Sequence, residues 1–141
     1  MHRKTLLLSI RPEFAKMIFE GTKSVELRRV RPKVAQGDHV LVYVSSPTKA
    51  LLGKFAVAQV IAAKPDVLWE LVRDVAGVSR ERFDAYYEGA ETAYAICLTE
   101  PSPLPNPVGL ETLRSLWHRF QPPQCYAYLT QDQLLCVEPL M

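Results

Sequence analysis

Short apolar runs alternate with helical segments along this chain, and the two periodicities follow no regular order. Runs that alternate in polarity, or that are rich in β-branched residues, predict strands. The predicted strands are residues 5–10, 23–29, 39–44, 50–63, 91–99, 125–129 and 134–137. Apolar positions at helical spacing, bounded by Pro, Ser or Gly, predict helices. The predicted helices are residues 12–20, 65–76, 79–87 and 109–120.

Strands and helices in irregular succession favour a mixed α+β barrel with flanking helices over a doubly wound sheet. Gly53 lies inside an apolar run and predicts a bulge or corner, which a small barrel needs. Residues 101–108 contain four prolines and are predicted to form an irregular connection. Because neither a repeat nor a linker interrupts the chain, we expect one domain over residues 1–141.

Composition excludes several classes of protein. Apolar residues make up 48% of the 141 residues and charged residues 23%, as in ordinary globular domains. No apolar run reaches the roughly 18 residues of a membrane span, so we expect no membrane association. The three cysteines include no C-x-x-C pair, which favours reduced thiols and a cytoplasmic location. Oligomeric state has no signal in the sequence.

Charge is unevenly distributed although the net charge is only +2. Residues 1–33 contain nine Lys and Arg against three Glu, and the remaining residues contain eight basic against twelve acidic side chains. A basic end on a nearly neutral chain suggests a local anionic partner such as RNA or a nucleotide. The alternative is a solvated basic rim with no partner.

Sequence motifs for common cofactors are absent. The six glycines form neither G-x-G-x-x-G nor G-x-x-x-x-G-K, and no Ser lies in a G-x-S-x-G motif. His2, His39 and His118 are too dispersed to suggest a metal site. We therefore expect neither a cofactor nor a metal.

One strand carries a concentrated polar face. Alternation over residues 23–29 places Ser24, Glu26 and Arg28 on the same side, with Lys23 at the turn that leads into the strand. Arg presents a forked set of donors to phosphates or base edges, and a carboxylate accepts from an amine. This face therefore suits a polar, planar ligand. The alternative is a solvent-facing strand with a cross-strand ion pair.

Three motifs in order along the chain resemble the ASCH domain family. The motifs are Ser9-Ile10-Arg11-Pro12, Gly21-x-Lys23-x-x-Glu26-x-Arg28 and Gly37-Asp38-x-Val40-Leu41-x-Tyr43-x-Ser45-Ser46-Pro47. The resemblance covers about residues 5–129. It implies a PUA-like β-barrel with a cleft lined by the strand of Lys23, Glu26 and Arg28. It also implies binding of RNA or another nucleic acid, linked to transcription or translation.

Some proteins of the family are enzymes. Small acetylcytidine amidohydrolases use a Lys, a Thr and a Glu, and Lys23 matches their lysine. Their threonine falls three residues later, where this chain has Glu26. This difference argues against the same mechanism, so we expect no comparable amidohydrolase activity. A ribonuclease activity has been ascribed to other relatives.

Three functions follow from these observations. The favoured one is a binding module for RNA, a modified base or a nucleotide; its expected contacts are Lys23, Ser24, Glu26, Arg28, Arg29, Ser45, Ser46 and Tyr126. The second is a hydrolase of RNA or a modified nucleoside, in which Lys23 and Glu26 supply the base and the acid. The third is a DNA-binding helix-turn-helix from residues 65–76 and 79–87, whose second helix is too acidic for phosphate contact.

Overall fold

The computed structural model describes residues 4–141, in which six strands and five α-helices follow in an irregular order. The elements in chain order are β1 (Thr5–Ile10), α1 (Pro12–Glu20), β2 (Val25–Arg28), β3 (His39–Val44), β4 (Ala50–Ala63), α2 (Pro65–Val72), α3 (Arg80–Tyr87), β5 (Ala93–Gly109), α4 (Leu110–Leu116), β6 (Tyr126–Tyr128) and α5 (Gln131–Val137). A 3₁₀ turn, Glu138–Leu140, follows α5.

The strands form one mixed sheet in the order β2-β5-β4-β3-β1-β6. β1 and β3 pair in parallel, and the other neighbouring strands pair antiparallel. The sheet curls into a half-barrel with the helices around it, so the expected α+β barrel with flanking helices is confirmed. Its two edge strands are β2 and β6, and the gap between them positions the site described below.

Helix α1 packs on the hydrophobic core between the curled strands. Pro12 begins the helix, and Gly21 ends it in the left-handed conformation with φ 88°. Ala15 and Ile18 are buried against β1, β3, β4 and β5. Two further clusters lie elsewhere: α2 and α3 pack on β2 and β5, and α4 and α5 pack on β1 and β3. The helices therefore cover both faces of the sheet with apolar side chains.

Gly53 lies at the predicted irregularity in β4. The pairing of β4 with β5 shifts between Leu51 and Gly53, which confirms the bulge. A Cβ at this position would lie 2.2 Å from Cζ of Phe19 on α1. Glycine is required here because the helix packs directly against the strand.

Two sequence predictions are wrong. Residues 101–108 belong to β5, and the four prolines occupy alternate, exposed positions. Prolines are tolerated there because β2 pairs only with Tyr94 to Cys97, so this part of β5 has one open edge. Residues 134–137 belong to helix α5, whose N-terminus has a capping box formed by Thr130 and Gln133.

Membrane-spanning helices and disulfide bonds are two features on which the sequence made predictions. None of the helices in the described part of the chain is long and apolar enough to cross a membrane. Cys97, Cys125 and Cys136 are free thiols in residues 4–141. His2 lies outside the described residues.

Candidate functional site

A concave cleft opens between β2 and α3, at the gap between the two edges of the sheet. Its volume is about 380 Å³, and we call it the β2–α3 cleft. Its walls come from the end of β1, the start of α1, β2, α3 and the segment before β6. The lining residues are Ser9, Ile10, Arg11, Phe14, Lys23, Glu26, Leu27, Arg28, Val78, Arg82, Phe83, Tyr86, Gln124 and Cys125.

Lys23 is buried at the floor of this cleft, and only 2% of the residue is exposed. Its ammonium group donates a hydrogen bond to the carbonyl oxygen of Ala76 and lies 5.0 Å from the centre of the Phe14 ring. Burial lowers the pKa of Lys23 below its ordinary value, and the Glu26 carboxylate opposes this effect. A buried amine is therefore held in place by the Ala76 carbonyl and the Phe14 ring.

Glu26 and Arg28 form an ion pair beside Lys23. Nη2 of Arg28 lies 3.5 Å from Oε2 of Glu26, and both side chains are largely buried. Nη1 of Arg28 donates to the carbonyl oxygen of Cys125 at 3.4 Å. In the described part of the chain, Nε of Arg28 is buried without a hydrogen-bond partner.

Aromatic and cationic side chains from α1 and α3 complete the walls. The Arg82 guanidinium carbon lies 5.1 Å from the centre of the Phe14 ring, and its Nη2 lies 3.6 Å from Oε1 of Glu13. The Tyr86 hydroxyl donates to the carbonyl oxygen of Leu27 at 3.3 Å. Burial raises the pKa of Tyr86, so its hydroxyl remains protonated at neutral pH. Helix α3 is therefore a wall of the cleft.

Sequence reasoning did not assign Phe14, Arg82 and Tyr86 to the site. Phe14 reads as an apolar position of α1, and Arg82 as a position of a helix too acidic for phosphate contact. Tyr86 is one of several tyrosines that could stack on a base or pack in the core, and Tyr126 is the one favoured for the site. Arg11 was identified only as part of a motif that ends β1. Contacts between α1, β2 and α3 depend on the tertiary fold, and the sequence carries no local signal for them.

The serines that follow β3 lie in a second, adjoining cleft of about 520 Å³, which we call the β3–β4 cleft. Its lining residues are Ser9, Arg11, Tyr43, Ser45, Ser46, Lys49, Leu110, Arg114, Pro122, Pro123 and Gln124. Ser9, Arg11 and Gln124 line both clefts. Ser45 and Ser46 therefore do not line the β2–α3 cleft with Glu26, and the three shared residues form the boundary between two neighbouring clefts.

The β3–β4 cleft is cationic. Arg11, Lys49 and Arg114 line it, and no carboxylate among the described residues does. Tyr43 is 3% exposed, and burial raises the pKa of its hydroxyl while Arg114 opposes this effect. The cleft therefore presents positive charges and protonated hydroxyl groups, the donors that phosphate oxygens accept.

Three of the predicted contacts have structural roles outside both clefts. Ser24 precedes β2, and its backbone bonds to Val75 and Leu98 at 3.0 Å each. Nη1 of Arg29 donates to the carbonyl oxygens of Tyr86 and Glu88 at 2.7 and 2.9 Å. Tyr126 on β6 packs against the core within the curled sheet. Lys23, Glu26 and Arg28 are the predicted residues that line the β2–α3 cleft, and Ser45 and Ser46 line the β3–β4 cleft.

Helix α3 also does not present a basic face. Arg80 pairs with Asp66 at 2.8 Å and with Asp84 at 2.9 Å. Phe83 and Tyr87 are buried against the sheet.

Within residues 4–141, no three His, Cys, Asp or Glu side chains are arranged to hold a metal ion.

An open, curled α+β sheet with outer helices and a polar cleft between its edges defines a PUA-like domain. The ASCH domain model matches residues 8–102, and this chain belongs to the ASCH family. A Zymomonas mobilis protein named ASCH domain-containing ribonuclease is 32% identical over 131 residues, which are 93% of this chain and 88% of that protein.

Solved structures agree with this assignment. The crystal structure of ASCH from Zymomonas mobilis matches with a TM-score of 0.93 and 31% identity, over 99% of this chain and 96% of that one. The N-terminal domain of Staphylothermus marinus McrB matches with a TM-score of 0.64 and 11% identity, over 99% and 98% of the two chains. The second match shows the fold alone.

Proposed function

We propose that this chain binds single-stranded RNA, with one base in the β2–α3 cleft and an adjoining phosphate in the β3–β4 cleft. The observation that carries the proposal is that two adjoining clefts are both lined by cations, while among the described residues a carboxylate lines only one of them. The β3–β4 cleft has three cations and no carboxylate among the described residues. The β2–α3 cleft has a single carboxylate, Glu26, among cations and aromatic rings.

A phosphate group suits the β3–β4 cleft. Arg11 and Arg114 supply forked donors, Lys49 supplies a point charge, and Ser45 and Ser46 add hydroxyl groups. Neutralising phosphates releases counterions, which drives binding of single strands without regard to sequence. No carboxylate among the described residues lines this cleft, which favours an anion, and Glu111 pairs with Arg114 from outside it at 3.6 Å.

A base suits the β2–α3 cleft. Its volume of about 380 Å³ is within the range of small-ligand sites. Phe14 and Tyr86 provide aromatic surfaces, and stacking on such rings stabilises single-stranded binding by about 1–3 kcal/mol per base. The Glu26 carboxylate can accept hydrogen bonds from the N–H groups of a base edge. Arg11 lines both clefts, so its guanidinium group would lie between the base and the phosphate of the bound strand.

Binding of a fluorescent single-stranded hexanucleotide at several salt concentrations tests this proposal. With one phosphate neutralised in the cleft, the logarithm of the affinity should fall with the logarithm of salt concentration with a slope of about −0.7. Arg11→Gln and Arg114→Gln should each reduce the affinity and lower that slope. Lys16→Gln is the matched control, because Lys16 is an exposed cation paired with Glu20 on α1. A salt-independent affinity, or no binding at low salt, would contradict the proposal.

A second candidate function is cleavage of the bound RNA. The 32% identical Zymomonas mobilis protein is named a ribonuclease, and Tyr43 places a protonated hydroxyl in the cationic cleft. The ribose 2′-hydroxyl would attack the neighbouring phosphorus and lose its proton to water. The bond from phosphorus to the 5′-oxygen would break, and Tyr43 would protonate that oxygen and regain a proton from water. Lys49 and Arg114 would stabilise the added negative charge.

Products of end-labelled RNA distinguish binding alone from cleavage. Cleavage in the β3–β4 cleft predicts a 2′,3′-cyclic phosphate and a large rate loss in Tyr43→Phe with affinity retained. If Lys23 and Glu26 supply the base and the acid, Lys23→Met and Glu26→Gln should instead abolish cleavage while Tyr43→Phe remains active. Intact RNA after long incubation would leave binding as the function.

A further inference from the structure

A third cleft, of about 460 Å³, lies where β6 leads into α5, and we call it the β6–α5 cleft. Lys4 and Lys33 line it and are both exposed, and no carboxylate among the described residues lines it. The base and the phosphate of the proposed function occupy the other two clefts, so this cationic cleft has no assigned ligand. Its lining residues are Lys4, Thr5, Lys33, Tyr128, Leu129, Gln131 and Leu134.

The two lysines of the β6–α5 cleft are available to an anion. None of the ion pairs within residues 4–141 involves Lys4 or Lys33. The neighbouring carboxylate of Asp38 is only 6% exposed. Its two oxygens accept from the backbone N–H groups of Lys4 and Ala35, at 3.0 and 2.9 Å. The buried Asp38 carboxylate is therefore engaged with the backbone, and the groups that line the cleft are cations.

Tyr128 supplies an aromatic surface to the same cleft. Its hydroxyl donates to the backbone carbonyl oxygen of Lys33 at 2.7 Å, and Nζ of Lys4 lies 5.5 Å from the centre of its ring. The ring of Tyr126 packs edge-on against it with 5.8 Å between the ring centres. Tyr128 is nevertheless 41% exposed. A ring held in place, partly exposed and flanked by cations suits a stacked base with its phosphate.

The segment that follows β2 connects the β2–α3 cleft with the β6–α5 cleft. At its start, Arg28 donates to the carbonyl oxygen of Cys125, and further along, the carbonyl oxygen of Lys33 accepts from Tyr128. The segment therefore runs beside β6 from one end of that strand to the other. Residues 27–37 contain four cations and neither Asp nor Glu. This basic segment favours a polyanion that passes from one cleft to the other.

Strand β1, which pairs with β6, gives the distance between the clefts. Ser9 lines the β2–α3 and β3–β4 clefts, and Thr5 lines the β6–α5 cleft. These residues are four positions apart on one strand, which corresponds to about 13 Å. A single strand of several nucleotides can therefore reach all three clefts at once.

We propose that the bound RNA strand continues from the β2–α3 cleft along β6 and places a second phosphate and a second base in the β6–α5 cleft. Lys4 and Lys33 bind this phosphate, and Tyr128 stacks on the base. Single strands are commonly bound by a basic groove with aromatic side chains along it. This inference rests on the proposed RNA binding and adds a second nucleotide subsite to it.

The salt dependence of hexanucleotide binding tests the second phosphate. One phosphate in the β3–β4 cleft accounts for a slope of about −0.7, and a second one should steepen the slope to about −1.4. Lys4→Gln combined with Lys33→Gln should weaken binding at low salt and return the slope to about −0.7. Lys54→Gln is the matched control, because Lys54 is exposed on β4 and lines none of the three clefts.

Two variants of Tyr128 test the second base. Tyr128→Leu removes the ring and should weaken hexanucleotide binding by about fivefold or more. Tyr128→Phe keeps the ring but loses the hydrogen bond to Lys33, and should bind within about twofold of wild type, since stacking needs the ring alone. Circular dichroism and urea denaturation would establish that both variants are folded.

The outcomes separate the two proposals. A wild-type slope of about −0.7, or a slope that the double lysine variant leaves unchanged, overturns the second subsite and leaves the proposed RNA binding in place. Equal affinities of folded Tyr128→Leu and wild type overturn the stacking on Tyr128. Failure of the hexanucleotide to bind at low salt overturns the proposed function together with this inference.

Discussion

Arg28 at the end of β2 donates from Nη1 to the carbonyl oxygen of Cys125, 3.4 Å away and just before β6. β2 and β6 are the two edges of the sheet, so this hydrogen bond joins strands that do not pair with one another. The same guanidinium group also pairs with Glu26. The side chain that bridges the two edges is therefore also one that lines the β2–α3 cleft.

Arg28→Lys should loosen β6 while leaving the rest of the sheet intact. A lysine ammonium keeps the charge but lacks the planar fork that reaches Glu26 and Cys125 at once. We expect faster hydrogen exchange at the β6 amides that pair with β1 and little change in β4 and β5. Arg73→Lys on the exposed face after α2 is the control. Unchanged exchange in β6 would show that the Arg28–Cys125 contact does not hold this edge.

Arg29→Ala should reduce stability more than RNA affinity, although the sequence suggests a phosphate contact. Arg29 donates to the carbonyl oxygens of Tyr86 and Glu88, which lie at the C-terminal end of α3. A cation at this end of a helix satisfies free carbonyls and contributes about 0.3–1 kcal/mol. Urea denaturation should show a loss of this size, with the salt dependence of RNA binding unchanged. A smaller salt slope in this variant would restore the phosphate contact.

Gly53→Ala should destabilise the fold because Phe19 occupies the space of a side chain at this position. The added Cβ would meet Cζ of Phe19 at 2.2 Å and the carbonyl oxygen of Ser102 at 2.8 Å. Overpacking of this kind costs about 1–3 kcal/mol. Gly109→Ala is the matched control, since its Cβ meets nothing within 4 Å. Thermal or urea unfolding of the two variants compares these effects, and equal stabilities would contradict the packing argument.

Local sequence signals predicted the bounds of a strand or helix correctly where the tertiary structure did not override them. The bounds of β1, α1, β3 and β4 match the sequence prediction, because Pro12 and Gly21 mark the ends of α1 and continuous apolar runs mark the strands. In the C-terminal region, two local signals conflict, and the strand predicted over residues 134–137 is part of helix α5. The Thr130-x-x-Gln133 capping box is present in the sequence and predicts a helix, but the short apolar run that follows has the length of a strand.

The candidate site was predictable only as far as it lies on one strand. Lys23, Glu26 and Arg28 are close in sequence, so alternation and the family motif were enough to bring them together. Arg82 enters the same cleft from α3, and its position depends on how α3 packs on the sheet. The separation of Ser45 and Ser46 into a second cleft depends on where the Pro122–Gln124 segment crosses the end of β1, which no local pattern records.

The buried amine of Lys23 should make stability depend on pH in a predictable direction. Burial lowers the pKa of Lys23 in the folded protein, whereas the unfolded chain keeps the ordinary value near 10.5. Between these two values the unfolded chain binds more protons than the folded one, so the free energy of unfolding rises with pH. Below the folded pKa both states are protonated, and the cost of burying the charge is constant.

Lys23→Met isolates this contribution, since methionine has a similar shape and no charge. The difference in unfolding free energy between wild type and variant should be constant at pH values below the lowered pKa of Lys23. It should then shift in favour of wild type as pH rises toward 10.5, by at most about 1.4 kcal/mol per pH unit. Urea denaturation of both proteins from pH 7 upward measures the difference and cancels groups that titrate in both. A flat difference up to the ordinary pKa of lysine would mean that the Lys23 amine is not held in a desolvated position, and the rigid donor at the floor of the cleft would have to be abandoned.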